Sequence, residues 1–453
     1  MENRPRCAES PLSRSPGFGF FLFILLHAIL FLRPHELIPE FGEPPIYNVI
    51  ILASLAASSS AVLRQLTSSS LSKDPIVACA LCLMGSVLLS DLSHLRIGES
   101  INSGIEFIKL LLYFLLLLAL LDSFARLRRF LVWLCLFVLI VVSLALLHYY
   151  KIISIHSLEA YYERQWELID DETGEPNVLA RLQATGIYGN PNDLSRILVV
   201  GILLGLYFLG DRRLGLLRPL PLIPIGLFGQ GLHLTYSRGG LLSLFAGLFA
   251  LFHDRYGRAK TLLVSALILP ILLVAFGGRQ TKFTTSEGTG QERIKIWNEG
   301  FVLLRGSPVF GIGMNQYAEQ LRIVAHNSFV HCYVELGFIG GTFFFALFYL
   351  PFVALRSKSR DQAKELDPES IRLRPFVFAI LIATVVGMLS SARSYTVPTY
   401  LIVGLCAAFL RVSSDRGHAL LPRFNGNLVG RLFFASGLCL IALYVYVQLG
   451  VRY

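Results

Sequence analysis

The chain is dominated by apolar blocks of roughly 20 residues that carry few or no charges. An α-helix of that length crosses a hydrocarbon core of about 30 Å. Hydrophobic residues make up 54% of the chain and charged residues only 15%, whereas a soluble domain usually carries about a quarter charged residues. Because so few charges cannot cover a water-facing surface, most of the chain is expected to lie in lipid.

The blocks give about thirteen candidate membrane spans. They lie at about 17–32, 46–63, 75–92, 104–121, 129–147, 191–210, 214–235, 239–253, 260–277, 327–355, 375–391, 396–411 and 431–449. Proline interrupts some of them, as at Pro219, Pro221 and Pro224, which membrane helices tolerate. The sequence therefore predicts an all-α polytopic membrane protein with about 12–13 transmembrane helices and a partly helical external loop.

The basic residues predict the orientation of these spans. Threading the spans alternately from a cytoplasmic N-terminus places every short basic connector on the inside, as the positive-inside rule requires. These connectors hold Arg64, Lys73, Arg126, Arg128, Arg129, Arg212, Arg213, Arg218, Arg255, Arg258, Lys260, Arg356, Lys358, Arg360 and Lys364. The net charge of +10 thus reflects topology, so membrane lipid rather than nucleic acid is the expected partner.

The same threading divides the chain into five parts. Transmembrane helices are expected at 1–150, 191–277 and 327–453, with external loops at 151–190 and 278–326. The second loop has its own helical pattern: a capping box followed by apolar residues at helical spacing, and then a Gly-Ser-Pro stop. An amphipathic helix is therefore expected at about 290–305, from Thr289, Glu292, Ile294, Trp297, Phe301, Leu304 and Gly306-Ser307-Pro308.

His326 and Asn327 stand where this loop meets the next span. A helix that begins there offers free backbone N–H groups and the positive end of its dipole, which suits a phosphate group. A histidine at this point can be neutral near pH 7 and accept a proton from a hydroxyl group. The alternative is a histidine that only caps the helix or lies among lipid headgroups.

Three arginines fall on the predicted external side, where the topology has no use for a cation. Arg238 lies in Ser237-Arg238-Gly239-Gly240, Arg293 in the first turn of the amphipathic helix, and Arg181 before Tyr188-Gly189-Asn190-Pro191-Asn192. Arginine near a membrane is costly and tends to mark a substrate path. The alternatives are an arginine that anchors a helix end for Arg238 and a solvated helix charge for Arg293.

These residues together resemble the O-antigen ligase and Wzy-type polymerase family. The chain has the family's His-Asn-x9-Gly-x-x-Gly pattern at His326-Asn327 and Gly337-x-x-Gly340. Tyr188-Gly189-Asn190-Pro191-Asn192, Ser237-Arg238-Gly239, Arg293 with Trp297, and Ser307-Pro308 leading into Gly311-Ile312-Gly313 support the resemblance. It covers about 180–350 well, whereas the first 150 residues match only as a run of membrane helices.

The resemblance implies a multi-pass protein of the bacterial inner membrane whose active site faces the periplasm. Such a protein would move a glycan from undecaprenyl diphosphate to an acceptor, either the lipid A core or another glycan. By the same resemblance, Arg238 and Arg293 bind the diphosphate, His326 is the general base, and Arg181 and Asn327 are further candidates for substrate binding. No cofactor is implied.

Other functions remain open from the sequence. The motifs do not separate a ligase from a repeat-unit polymerase. A lipid-glycan transporter or flippase would also need external arginines, although few charges lie near the middle of the spans. A non-catalytic scaffold is a third reading. His331 and Glu335 have i, i+4 spacing, but neither an HExxH nor a DxD motif accompanies them, so a metal site is not predicted.

Overall fold

The computed structural model describes residues 17–37, 46–155, 158, 160–169, 176–275, 289–356, 367–414 and 420–451. Within these ranges the chain is almost entirely helical. The helices are α1 (Gly17–Leu32), α2 (Pro34–Leu37), α3 (Ile46–Gln65), α4 (Ser68–Lys73), α5 (Pro75–Leu92), α6 (Ile97–Leu120), α7 (Phe124–Tyr149), α8 (Pro191–Leu209), α9 (Leu222–Leu234), α10 (Arg238–Ala275), α11 (Thr289–Gly306), α12 (Gln316–Leu321), α13 (Ser328–Arg356), α14 (Pro368–Met388), α15 (Val397–Ser414) and α16 (Gly426–Gly450).

Nine helices in the described ranges are long and apolar enough to cross a membrane, and α1 and α9 are shorter apolar helices. The long ones are α3, α5, α6, α7, α8, α13, α14, α15 and α16. The prediction of an all-α polytopic membrane protein is thereby confirmed. The candidate spans differ in how many of their residues are buried. In the most apolar stretch of α8, 78% of the residues are buried, whereas in that of α16 only 17% are. Helix α8 therefore lies inside the bundle, and α16 lies at its edge.

Three predicted spans have different bounds in the structure. The block at 239–253 and the described part of the block at 260–277, up to residue 275, fall in one helix, α10, which is interrupted at Gly257, where φ is +77°. The block at 214–235 begins with a 3₁₀ segment, Arg212–Leu217, and is α-helical only over Leu222–Leu234. Prolines lie in and just before the start of α9, and a proline lacks the N–H that a helix interior requires.

Connectors that were predicted to share the inner side contact one another through ion pairs. Arg128 Nη2 lies 2.5 Å from Asp211 Oδ2, and Arg374 Nη2 lies 2.9 Å from Asp254 Oδ2. The start of α7 therefore contacts the connector after α8, and α14 contacts α10. We term this end of the bundle the basic end.

Connectors that were predicted to lie outside also contact one another. The Gly186 N–H donates to Glu36 Oε2 at 2.6 Å, and Arg96 donates to the Ile312 carbonyl oxygen. This second end, which carries the two long loops, is termed the loop end. The grouping of contacts agrees with the alternation of spans inferred from the charges.

The first long loop contains a β-hairpin that the sequence did not indicate. β1 (Tyr161–Ile169) pairs antiparallel with β2 (Pro176–Arg181), and Tyr161 lies opposite Arg181. Beyond the hairpin, the Leu182 N–H donates to the Leu234 carbonyl oxygen at 2.8 Å. The hairpin is thereby joined to the C-terminal end of α9.

The second long loop contains the predicted amphipathic helix. α11 runs over Thr289–Gly306, against an expected 290–305, so this prediction is confirmed. Ile294, Phe301 and Leu304 are buried, as their helical spacing requires. Residues 276–288 of this loop lie outside the described residues. The buried face fixes α11 against α13 and α16, and with it the arginine in its first turn.

Candidate functional site

Asn327 determines where α13 begins. Its Oδ1 accepts hydrogen bonds from the N–H groups of Phe329 at 3.0 Å and Val330 at 3.2 Å, and the side chain is 1% exposed. This is the geometry of an N-cap, which satisfies donors that the first helical turn would leave unpaired. The carboxamide oxygen of Asn327 thus has a structural role. His326 stands just outside the helix and has a φ of +49°.

A break in α13 explains the spacing of the glycine pattern. At Gly337, φ is +66°, and a Cβ atom there would clash with the carbonyl of Val309. The segment 308–313 runs against the break and pairs with it: Ile312 N–H donates to Val334 O at 3.1 Å, and Phe338 N–H donates to Pro308 O at 2.9 Å. Only glycine tolerates this close approach of two backbones. The pattern therefore locks the second loop to the helix that His326 precedes.

His326 lies beside two arginines, Arg293 and Arg393. The pKa of His326 is lowered from its ordinary value, first because the side chain is partly buried and then because both guanidinium groups are close by. Trp297, one turn after Arg293 on α11, donates from Nε1 to the Ala325 carbonyl oxygen at 2.5 Å. This bond ties α11 to the residue before His326. A histidine in this setting favours the neutral form, which can accept a proton.

Arg393 was not among the residues predicted from the sequence. It lies in the connector between α14 and α15, and both oxygens of Asp193 at the start of α8 hold its guanidinium group at 2.6 to 2.9 Å. Its backbone N–H donates to Ser328 Oγ at 2.9 Å, which brings the connector to the first turn of α13. The signal that could have identified Arg393 was the one applied to Arg238, a cation on the predicted external side.

Arg181 is held by groups of the protein itself and is 6% exposed. It donates from Nε to Thr235 O at 2.8 Å, from Nη1 to Glu163 Oε2 at 2.7 Å and from Nη2 to Asn192 Oδ1 at 3.0 Å. The guanidinium group therefore joins the hairpin to the end of α9 and the start of α8. These contacts give Arg181 a structural role at the loop end.

Arg238 is the first residue of α10, and its neighbours in the chain contact the elements that carry Arg181 and Arg393. Ser237 Oγ donates to Asn192 Oδ1 at 2.9 Å, the same oxygen that Arg181 contacts. Gly239 packs so closely against Ser390 that a Cβ atom would clash with its hydroxyl group. Arg238 thus lies between the start of α8 and the connector that carries Arg393.

The predicted site residues therefore all lie at the loop end, in two groups. Arg293 and His326 are brought together with Arg393, and Asn192 links Arg181 to Ser237, the residue before Arg238. The ion pair between Asp193 and Arg393 joins the two groups. Arginine forks and a neutral imidazole are the groups that bind a phosphate ester and accept a proton from a hydroxyl group.

A buried pair of polar side chains, His331 and Glu335, lies one helical turn deeper. His331 Nε2 is 3.2 Å from Glu335 Oε2, as expected from their i, i+4 spacing, and Glu335 is fully buried. Glu335 Oε1 accepts from the Tyr317 N–H at 3.1 Å, which fixes α12 over α13. Among the described side chains, no group of three His, Cys, Asp or Glu residues could hold a metal ion.

The comparisons with known proteins agree with the motifs. Residues 223–345 match the model of the O-antigen ligase family. The match contains Arg238, Arg293, His326 and the break at Gly337, whereas Arg181 and Arg393 lie outside it. No curated protein matches the chain in sequence. The chain is thus a multi-pass membrane protein that is similar to the O-antigen ligase family over residues 223–345.

Proposed function

We propose that the protein is a ligase that transfers a glycan from undecaprenyl diphosphate to an acceptor hydroxyl group on the lipid A core or a similar glycan. One observation carries the proposal: a half-buried histidine, His326, lies beside Arg293 and Arg393 at one end of the helical bundle. His326 and Arg293 also fall inside the segment that matches the O-antigen ligase family.

His326 is the proposed general base. Burial and two neighbouring positive charges keep its pKa below the ordinary value, so the imidazole is neutral at neutral pH. It takes the proton of the acceptor hydroxyl group as the acceptor oxygen attacks the anomeric carbon of the donor sugar. A base in this position contributes about 10²- to 10⁴-fold to the rate.

The arginines are the proposed ligands of the diphosphate. As the bond between the anomeric carbon and the diphosphate oxygen breaks, negative charge grows on the leaving group. Guanidinium groups match phosphate geometry and contact this charge most strongly in the transition state. Arg293 and Arg238 serve in this role, and we add Arg393, which is held in place by Asp193 while 38% of its side chain stays exposed.

The position of the site suits a substrate that is half lipid. The cations lie at the ends of membrane helices, so a polyprenyl chain can remain in the bilayer while its diphosphate reaches the interface. We assign the loop end to the periplasmic face of the bacterial inner membrane because the arginine-rich connectors lie at the opposite end.

The decisive experiment follows the product formed by the purified protein. It is incubated with an undecaprenyl-diphosphate-linked glycan and a candidate acceptor, and the product is separated by gel electrophoresis and mass spectrometry. A single addition to the acceptor supports the ligase. A ladder of lengthened glycans would instead make the protein a repeat-unit polymerase. Movement of the lipid-linked glycan across a vesicle membrane without any transfer would make it a flippase.

Single substitutions test the site itself. His326→Ala should lower kcat by about 10²- to 10⁴-fold, and Arg293→Ala or Arg238→Ala should abolish transfer by loss of contacts to the diphosphate. Arg322→Ala is the matched control, because Arg322 is an exposed arginine of the same loop. Full activity in all three site variants, with correct insertion, would exclude this site.

A further inference from the structure

A polar cleft lies at the basic end, at the opposite end of the helical bundle from the candidate site. It is open to solvent and has a volume of about 450 Å³, between the first turns of α7 and α14 and the 3₁₀ segment that follows α8. Its polar lining comes from Arg128, Arg129, Arg213, Asp367 and Glu369. None of these residues belongs to the site proposed above.

The arginines around this cleft exceed the carboxylates that neutralise them. Asp211 is shared by Arg128 at 2.5 Å and Arg372 at 3.4 Å, and Glu369 is shared by Arg372 at 2.7 Å and Arg213 at 3.2 Å. Three guanidinium groups therefore share two carboxylates. This cluster keeps an excess positive charge at the edge of the cleft.

Arg129 and Asp367 complete the charge count. Arg129 donates from Nε to the Ala125 carbonyl oxygen at 3.4 Å, and its guanidinium group lies over the Phe20 ring. Asp367 Oδ1 caps α14 by accepting from the Glu369 N–H at 2.8 Å. With these two residues included, four arginines face three carboxylates, so the cleft has a net positive charge.

Two guanidinium donors at this cluster lack an acceptor. Arg128 Nε and Arg372 Nη1 are buried and have no hydrogen-bond partner among the described residues. A buried donor without an acceptor is unfavourable, and Arg128 lines the cleft. Arg129, which also lines the cleft, is exposed, so its guanidinium group is accessible to a ligand with several anionic oxygens.

The apolar part of the cleft indicates where such a ligand comes from. Val132 lines the cleft one turn after Arg128, and Leu136 follows at the next turn of the same helix face. Val132 is 48% and Leu136 is 38% exposed. An exposed apolar stripe that leads from a basic cleft along a membrane helix suits acyl chains, whereas a free anion has no use for it.

We propose that this cleft binds the phosphate headgroup of an anionic phospholipid, whose acyl chains lie along Val132 and Leu136. Basic pockets between helix ends are a known way for membrane proteins to recognise anionic headgroups. The site is independent of glycan transfer, and it would fix the depth of α7 and α14 in the bilayer.

The test compares lipids on the full-length purified protein. Thermal unfolding is followed in detergent micelles while phosphatidylglycerol, phosphatidylcholine or glycerophosphate is titrated in. Phosphatidylglycerol should raise the unfolding temperature in a saturable manner, and the other two should not. Equal stabilisation by phosphatidylcholine would overturn the headgroup specificity, and equal stabilisation by glycerophosphate would assign the cleft to a soluble anion instead.

Two variants with the same change of charge locate the effect. Arg129→Gln should weaken the binding of phosphatidylglycerol about fivefold, which is the usual effect of one arginine near an anionic lipid. Arg258→Gln removes an exposed arginine of α10 outside the cleft and should leave the binding unchanged. Equal weakening in both variants would show that only the overall charge of this end matters and would overturn the site.

Discussion

Arg393 and Asp193 form a two-oxygen ion pair across 200 residues of sequence, with N–O distances of 2.6 to 2.9 Å. Asp193 belongs to the first turn of α8, and Arg393 belongs to the connector between α14 and α15. Arg196 also contacts Asp193, so one carboxylate holds two guanidinium groups. The pair holds Arg393 next to His326, where its charge acts on the imidazole.

Removal of the Arg393 charge should move the pH profile. Both Arg393 and Arg293 lower the pKa of His326, so Arg393→Gln should raise that pKa. A base must be unprotonated to act, and the acid limb of kcat/KM should therefore shift to higher pH in this variant. Transfer rates measured between pH 5 and 9, a range that brackets the ordinary histidine value, would reveal the shift.

Arg393→Lys is the control for that experiment, because it keeps the charge and alters only the geometry. Its acid limb should stay near that of the unchanged protein. Arg196 remains to pair with Asp193 in both variants, so both should fold, as thermal unfolding can verify. An unchanged acid limb in Arg393→Gln would mean that His326 is not the titrating base.

Trp297 is expected to position His326 without touching the substrate. Trp297→Phe keeps an aromatic ring but removes the indole N–H that donates to the Ala325 carbonyl oxygen. A small misplacement of a catalytic group is costly in rate, so kcat should fall about tenfold while KM for the donor changes little. Tyr446→Phe, on the ring that faces Trp297, removes a hydroxyl group instead and should leave kcat unchanged. A rise in KM alone would contradict the positioning role.

Gly337 should tolerate no side chain. Gly337→Ala places a Cβ at φ +66° and against the Val309 carbonyl, and the backbone strain alone costs about 1–3 kcal/mol. We expect a clearly lower unfolding temperature and loss of transfer. Gly226→Ala on α9 is the control, because no atom lies within 4 Å of the added Cβ. Equal stability of the two variants would contradict the close backbone contact.

The orientation of the chain can be tested by labelling with a membrane-impermeant maleimide. The sequence predicts that position 286 reacts from outside the cell, but Ser286 lies outside the described residues. Gln320 on α12 and Ser69 on α4 are exposed, at the loop end and the basic end respectively. In intact cells, Gln320→Cys should react and Ser69→Cys should react only after lysis. The reverse pattern would invert the topology.

The sequence alone was sufficient to predict the fold class, the amphipathic helix α11 and the position of His326 at the start of α13. These features depend on local terms. A run of apolar residues partitions into lipid wherever it occurs in a chain. An amphipathic helix is recognised from the spacing of its own apolar residues and from its capping residues. The residue pattern from His326 to Gly340 could also be recognised in the sequence. The structural cause of its glycine spacing, which is the pairing of segment 308–313 with the break in α13, could not.

Only the tertiary structure decided which external cations share a site. Asp193 selects Arg393, Asn192 joins Arg181 to the start of α10, and Arg128, Arg213 and Arg372 gather around two carboxylates at the other end. Apart from the i, i+3 pair of Arg372 and Glu369, each of these contacts joins residues of different elements of the fold, so the partners depend on how the helices pack. Local propensity and hydropathy contain no information on that packing, so no reading of single segments could have supplied it.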